Sequence, residues 1–246
     1  MLNRLTFEEL DNYLSAIRRA SELDQIIDIL HRQINIFGFE YFTYWLRWAD
    51  TEEREPVFLS TYPDKFIEHY IANDFQSHDM VGRYSMQKNT PFRWTDISKI
   101  MPITKMQKVL FDDSQSVGMK SGGSVPIHGP NQTQATFSVC SNISDKEFNE
   151  LFNYHHHELH IIATYAHEKI MELDLHSGIN DVSLTSRETE ILTWVSRGKT
   201  YWEIGLILKI QEDTVKKHMQ RIFRLLQVHN STHAVAKAII NGLIIP

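Results

Sequence analysis

The sequence predicts an α+β protein: an N-terminal α-β-α sandwich joined to a C-terminal all-α domain of four short helices containing a helix-turn-helix. Three observations predict it. The charge is split along the chain. Of 246 residues with a net charge of −6, residues 182–246 hold nine bases against five acids, leaving +4 on the tail and −10 on the body. An acidic body on a basic tail puts a polyanionic partner at the tail. Hydrophobic spacing in the body switches between the helical period and the strand period. The tail, by contrast, is punctuated by helix-capping signals only a few residues apart.

Composition narrows the class further. Hydrophobic residues at 42% and charged residues at 23% are ordinary for a globular chain. The single cysteine, Cys140, excludes an internal disulfide framework and a multi-cysteine metal site. It fits a reducing compartment. No apolar run approaches the roughly 20 residues that span a bilayer. Met1 to Leu10 has no secretory h-region. The expectation is a cytoplasmic protein with no membrane partner, no cofactor and no catalytic set.

The elements follow in order. Leu5, Leu10, Leu14 and Ile17 recur at helical spacing, as do Leu23, Ile26, Ile27, Leu30, Ile34 and Phe37, with Gly38 as terminator. Tyr41 to Trp48 and Val57 to Thr61 read as strands. Pro63 can open a helix over Asp64 to about Asn73. From Ser77 to Trp94 the pattern is irregular, with short elements at most. Ile103 to Phe111 reads as a short helix, and Gly118, Gly122 and Gly123 as a turn region. Ser124 to His128 and Ala135 to Ser141 read as two strands joined by a turn. Ser144 and Glu147 form a capping box that opens a long helix ending near Leu175. The domains are therefore 1–175, a polar linker at 176–181, and 182–246. Helices flanking a mostly antiparallel sheet commonly enclose a small-molecule cavity.

In the tail, Thr185 with Glu188 and Thr200 with Glu203 make two capping boxes. Ile191, Leu192 and Val195 face inward from the first helix, and Ile204, Ile207 and Leu208 from the second. The third runs from about Glu212 to Leu226. Val215, Met219, Ile222, Phe223 and Leu226 form its buried side, and Lys216, Lys217, Gln220, Arg221 and Arg224 the other. The fourth covers Ser231 to Asn241. Two capped helices across the Lys209-Ile210-Gln211 turn form a helix-turn-helix, whose second helix enters the major groove.

The signatures LTSRE at 184–188, GKT with EI at 198–204, TVKKH at 214–218 and HAVAKAI at 233–239 carry a resemblance. The tail resembles the DNA-binding domain of the LuxR family of bacterial transcription regulators. The resemblance implies that Lys216, Lys217 and Gln220 face base edges and that Thr214, His218 and Arg221 lie nearer phosphates of double-stranded DNA. It makes Glu188 a buried structural partner. Lys209 departs from the family's turn glycine, and Gln211 is a poor N-cap.

The stretch Thr61 to Trp94, with Gly122 and the strand Ala135 to Ser141, resembles the autoinducer-binding domain of quorum-sensing LuxR regulators. That implies an N-acyl-homoserine lactone held between the sheet and an aromatic-lined helix layer. Tyr62 matches the tyrosine at the acyl carbonyl and Asp79 the acceptor of the ligand amide N–H. Tyr70 and Trp94 match the aromatic walls, and Ser138 the hydroxyl at an acyl-end oxygen. Phe66 stands where the family has an indole that donates to the lactone carbonyl, and phenylalanine has no donor. Met80 replaces the usual proline. Either other groups such as Tyr44 hold the lactone, or the signal is a different small molecule. The resemblance also implies a homodimer, with contacts from the long helix and the last helix, and RNA polymerase as a partner; activation of transcription is the commoner family outcome, and release from DNA by ligand the other.

Three alternatives compete with this reading. A divergent regulator of this type answers to a non-lactone molecule or works without ligand. A response regulator with the same tail needs a strand-end aspartate in a doubly wound domain, a pattern the body lacks. An enzyme fused to the tail needs a catalytic set, and none is visible. The cluster His155, His156, His157, Glu158 and His160 looks like metal bait, but successive helical residues point around the axis. His156 and His160, four apart, could share a face, but no third ligand is evident.

Overall fold

The computed structural model describes residues 4–48, 56–129, 133–175 and 183–246. The chain divides into two compact units: one built from the residues up to 178 apart from two short loops, the other containing 179–246. The predicted linker at 176–181 lies outside the described residues.

In the first unit, α1 (Phe7–Arg19) and α2 (Leu23–Phe37) lead into β1 (Tyr41–Arg47) and β2 (Val57–Ser60). Thr6 caps α1 reciprocally with Glu9, and Gly38 ends α2 at φ +92°. Next come α3 (Asp64–Ala72), a 3₁₀ turn at Phe75–Ser77, α4 (Met80–Ser85), β3 (Phe92–Arg93) and α5 (Trp94–Ile97). Then α6 (Lys105–Ser116), β4 (Ser121–His128), β5 (Gln134–Ser141) and α7 (Asp145–Leu175) complete it. Five strands form one antiparallel sheet in the order β2-β1-β5-β4-β3.

Strand alternation sorts the side chains into two layers. Phe42, Tyr44 and Leu46 of β1 are fully buried on one face, which α2 and α7 cover. Thr43 and Trp45 point to the other face, where α3 to α6 enclose a cavity. The predicted α-β-α sandwich is what forms.

Two expectations need correction here. Gly122 and Gly123 are not in a turn; they open β4. They are glycines because the layers approach there. A Cβ on Gly122 would lie 2.6 Å from the Trp94 indole, and one on Gly123 would lie 2.5 Å from the Phe152 ring. The helix read as Ile103 to Phe111 starts later and runs to Ser116. Thr104 caps it with Gln107, and its last turn is polar, which periodicity alone does not register.

The second unit has α8 (Ser186–Ser196), α9 (Tyr201–Leu208), α10 (Glu212–Leu226) and α11 (Ser231–Ile240). Both predicted capping boxes form, Thr185–Glu188 and Thr200–Glu203. Ile191, Leu192, Ile204, Val215, Met219, Ile222, Leu226, Ala234 and Ala238 share one core. Ile207 was expected inward but is 42% exposed. Gly205 takes the inner position instead. A Cβ there would sit 2.8 Å from the Ile210 carbonyl oxygen, so the turn after α9 folds directly onto it.

Candidate functional site

The helical layer of the first unit leaves a cavity of about 280 Å³ against the sheet. All six residues singled out in the sequence line it: Tyr62, Phe66, Tyr70, Asp79, Trp94 and Ser138. Tyr62 lies just ahead of α3, which carries Phe66 and Tyr70 one turn apart. Their rings follow at centroid spacings of 6.0 and 6.2 Å. Sequence reading missed Trp45, Phe58, Ile71, Leu110 and Met119, which also line the cavity. Trp45 and Phe58 were legible in principle, since they pair across β1 and β2 on the same face. Tyr44, the alternative lactone holder, faces the other way. Its hydroxyl lies 2.7 Å from His167 Nδ1 on α7, because it is one residue out of step with the cavity side of β1.

Among the described residues, Asp79 is the acidic residue of this wall, and no Lys, Arg or His lines the cavity. Its Oδ1 accepts the Val81 N–H at 2.7 Å, capping α4, and its Oδ2 accepts the Tyr70 hydroxyl at 3.2 Å. Burial raises its pKa, against the hydrogen bonds from Val81, Tyr70 and Gly82. A carboxylate held this way favours an added N–H or O–H donor. Met80, which follows it, is buried against Tyr84, Phe92 and Ile97.

Around Phe66 the wall is apolar, with Met119 and the fully buried Cys140 packed against it. Burial pushes the Cys140 thiol up to about 12. Tyr62 packs against Cys140, and burial raises the pKa of its hydroxyl well above the ordinary value.

The histidine cluster on α7 does not converge. His155 is buried and stacks on Phe37 at 4.6 Å, with Glu158 3.3 Å from its Nδ1. Glu158 also accepts the Leu5 N–H. Among the described residues no group of His, Cys, Asp and Glu is arranged to hold a metal ion.

In the second unit, α10 presents Lys216, Lys217, Gln220, Arg221 and Arg224 as exposed residues, with Thr214 and His218 half-buried. Lys216 lies 2.9 Å from Glu212 and 3.5 Å from Asp213, which hold it charged. Arg221 is tied inward. Its Nη1 is 3.1 Å from Oε1 of Glu188, which is wholly buried. Burial works against that carboxyl's charge, but Thr185, Arg221 and His218 keep its pKa below the usual value. Glu188 thus caps α8 and anchors α10 together.

Residues 22–170 match the profile described as an autoinducer binding domain, and residues 182–238 that of bacterial regulatory proteins of the luxR family. The chain belongs to the LuxR family of quorum-sensing transcription regulators. It is 30% identical over 225 residues to the transcriptional activator protein CarR of Pectobacterium carotovorum subsp. carotovorum, covering 87% of this chain and 91% of that protein. It is likewise 30% identical over 230 residues to EchR of Dickeya chrysanthemi, covering 90% and 91%. The crystal structure of Escherichia coli SdiA shares the fold with a TM-score of 0.75 at 20% identity, over 98% of this chain and 99% of that one. SdiA in complex with octanoyl-rac-glycerol gives 0.76 at the same identity, over 99% and 98%.

As a LuxR-type regulator, the chain pairs a ligand-responsive first unit with a DNA-binding second unit. Among the described residues no helix is long and apolar enough to cross a membrane.

Proposed function

We propose that the chain is a homodimeric transcription activator that takes an N-acyl-homoserine lactone, or a related amphiphile, into the cavity of its first unit. The observation that carries this reading is the cavity itself. It is largely apolar, it gathers Tyr62, Phe66, Tyr70, Asp79, Trp94 and Ser138, and among the described residues it holds one carboxylate and no cation. Asp79 accepts the ligand N–H, Ser138 and Tyr62 meet its oxygens, and the rings enclose its apolar body. Ligand that binds only the native state stabilises it by mass action, about 2.7 kcal/mol at a hundredfold excess over Kd. On α10, Lys216, Lys217 and Gln220 read base edges, while Thr214, His218 and Arg221 contact phosphate. Dimer contacts come from the outer faces of α7 and α11. On α7, Ile161 and Tyr165 lie one turn apart at 39% and 38% exposure. Two-fold pairing presents two recognition helices to a two-fold operator, where the activator meets RNA polymerase.

A second reading rests on Phe66. Its ring supplies no donor where a lactone carbonyl would arrive, and Met119 and Cys140 add none beyond a weak thiol. The missing bond costs about 1–3 kcal/mol, roughly tenfold or more in affinity. A signal with an apolar group at that end avoids the loss. Thermal unfolding of the full chain with a panel of N-acyl-homoserine lactones and with culture extract separates the readings. Stabilisation by a lactone supports the first. Stabilisation by the extract alone, with no lactone in the active fraction, supports the second. No shift with either overturns both.

A further inference from the structure

A chain of three side chains crosses from α5 through two strands and ends in the cavity. The Trp94 indole Nε1–H donates to Ser124 Oγ on β4 at 3.0 Å. Ser124 Oγ lies 2.8 Å from Ser138 Oγ on β5, and the two serines are direct partners in the β4–β5 register. Gly122 makes this possible, since any side chain there would displace the indole.

The direction of the bonds follows from donor bookkeeping. An indole nitrogen only donates, and a serine hydroxyl has one proton to give. Ser124 is wholly buried and does not line the cavity. Its oxygen already receives the indole proton, so its own proton goes to Ser138. The reverse arrangement buries the Ser124 proton without an acceptor, at a cost of about 1–3 kcal/mol. The Ser138 proton is then the free end of the chain. Ser138 is 5% exposed and lines the cavity.

Other polar side chains of the wall are already engaged. Thr136 donates to Ser85, Gln107 bonds the His78 carbonyl and the Thr104 N–H, and Ser114 donates to the Phe111 carbonyl. Asp79 offers the cavity an acceptor from the helical layer, and Ser138 a donor from the sheet.

We infer that Ser124 is a positioning residue: by accepting the Trp94 indole proton it commits its own proton to Ser138 and so fixes Ser138 as a hydrogen-bond donor into the cavity. This rests on the reading that the cavity holds a small-molecule signal. Ser124 touches no ligand, yet it sets which polar pattern fits.

The test is a double-mutant cycle on the full chain, titrated with N-acyl-homoserine lactones of graded length, with and without a keto group on the acyl chain. Ser138→Ala is expected to lower affinity roughly tenfold for the tightest of them. Ser124→Ala is expected to lower it severalfold, and the double variant to lose no more than Ser138→Ala alone. In ligand-free protein, the Trp94 indole N–H resonance, assigned with Trp94→Phe, is expected to shift in Ser124→Ala. A lactone that binds Ser124→Ala as tightly as the native chain, or additive losses, or an unmoved indole resonance, overturns the relay alone. If the native chain binds no lactone in the panel, the lactone reading fails while the small-molecule reading stands, and the indole resonance in Ser124→Ala decides the relay by itself.

Discussion

The Asp79 carboxylate divides its oxygens between the Val81 N–H and the Tyr70 hydroxyl, in a wall to which no described residue adds a cation. Asp79→Asn keeps the shape and an acceptor but removes the charge. Titration calorimetry is expected to show ligand affinity falling about tenfold or more, with Tm of the free protein changing little. Lys209 is a second residue with a local cost. It ends α9 at φ +53°, a region that L side chains adopt at about 1–2 kcal/mol. Lys209→Gly is expected to raise unfolding free energy by up to about 1 kcal/mol in urea titration, the gain being offset in part by glycine's larger unfolded-state entropy. A lower stability would show that the lysine makes a compensating contact. That strain was legible in the sequence, because a lysine stands where the turn calls for glycine. The turn of Tyr44 away from the cavity was not legible, because the strand reading fixed no face and a shift of one residue exchanges the layers.

At the scale of elements, β4 shows where pattern reading stops. Gly122 and Gly123 carry the local signature of a turn, yet they are strand residues thinned to admit Trp94 on one face and Phe152 on the other. Only the packed layers reveal this. Gly123→Ala is expected to destabilise the first unit by roughly 1–3 kcal/mol through overpacking, read as a fall in Tm of the full chain. Gly122→Ala adds a loss of ligand affinity, since it displaces the indole from Ser124. The tail helices were far more legible. Thr185, Glu188, Thr200 and Glu203 declare their boundaries by short-range capping alone, which needs no tertiary context. The exception is α9, where Ile207 looks inward by period but Gly205 takes the core side. On α10, Lys217→Ala is expected to weaken DNA binding and to leave the salt dependence unchanged if the side chain reads a base. A slope smaller by about one would assign it to a phosphate instead.

At the scale of the whole molecule, stability depends on pH through groups that the fold keeps neutral. His167 is buried beside Tyr44, and burial lowers its pKa from 6.5 to about 4. The unfolded chain binds a proton between those values while the folded chain does not. Stability is thus complete above pH 6.5 and is lost as pH falls toward 4, by roughly 3 kcal/mol for the full shift. Urea titrations across that window are expected to show the decline, and His167→Gln to flatten it. A slope unchanged by His167→Gln would place the proton uptake elsewhere, on His155 or His160, whose pKa values burial also lowers. The two-unit architecture itself was readable from charge asymmetry and capping. The cavity's far wall was not, because Ile71, Leu110 and Met119 come from separate elements that no local pattern connects.

Native mass spectrometry of the full chain tests the central claim most directly. The chain is produced without signal and then exposed to the lactone panel and to culture extract. The expected result is a dimer with one small molecule per protomer, lost in an Asp79→Ala variant that stays folded. A folded native chain that takes up nothing from either source, or an Asp79→Ala chain that retains the same molecule as tightly, would contradict it.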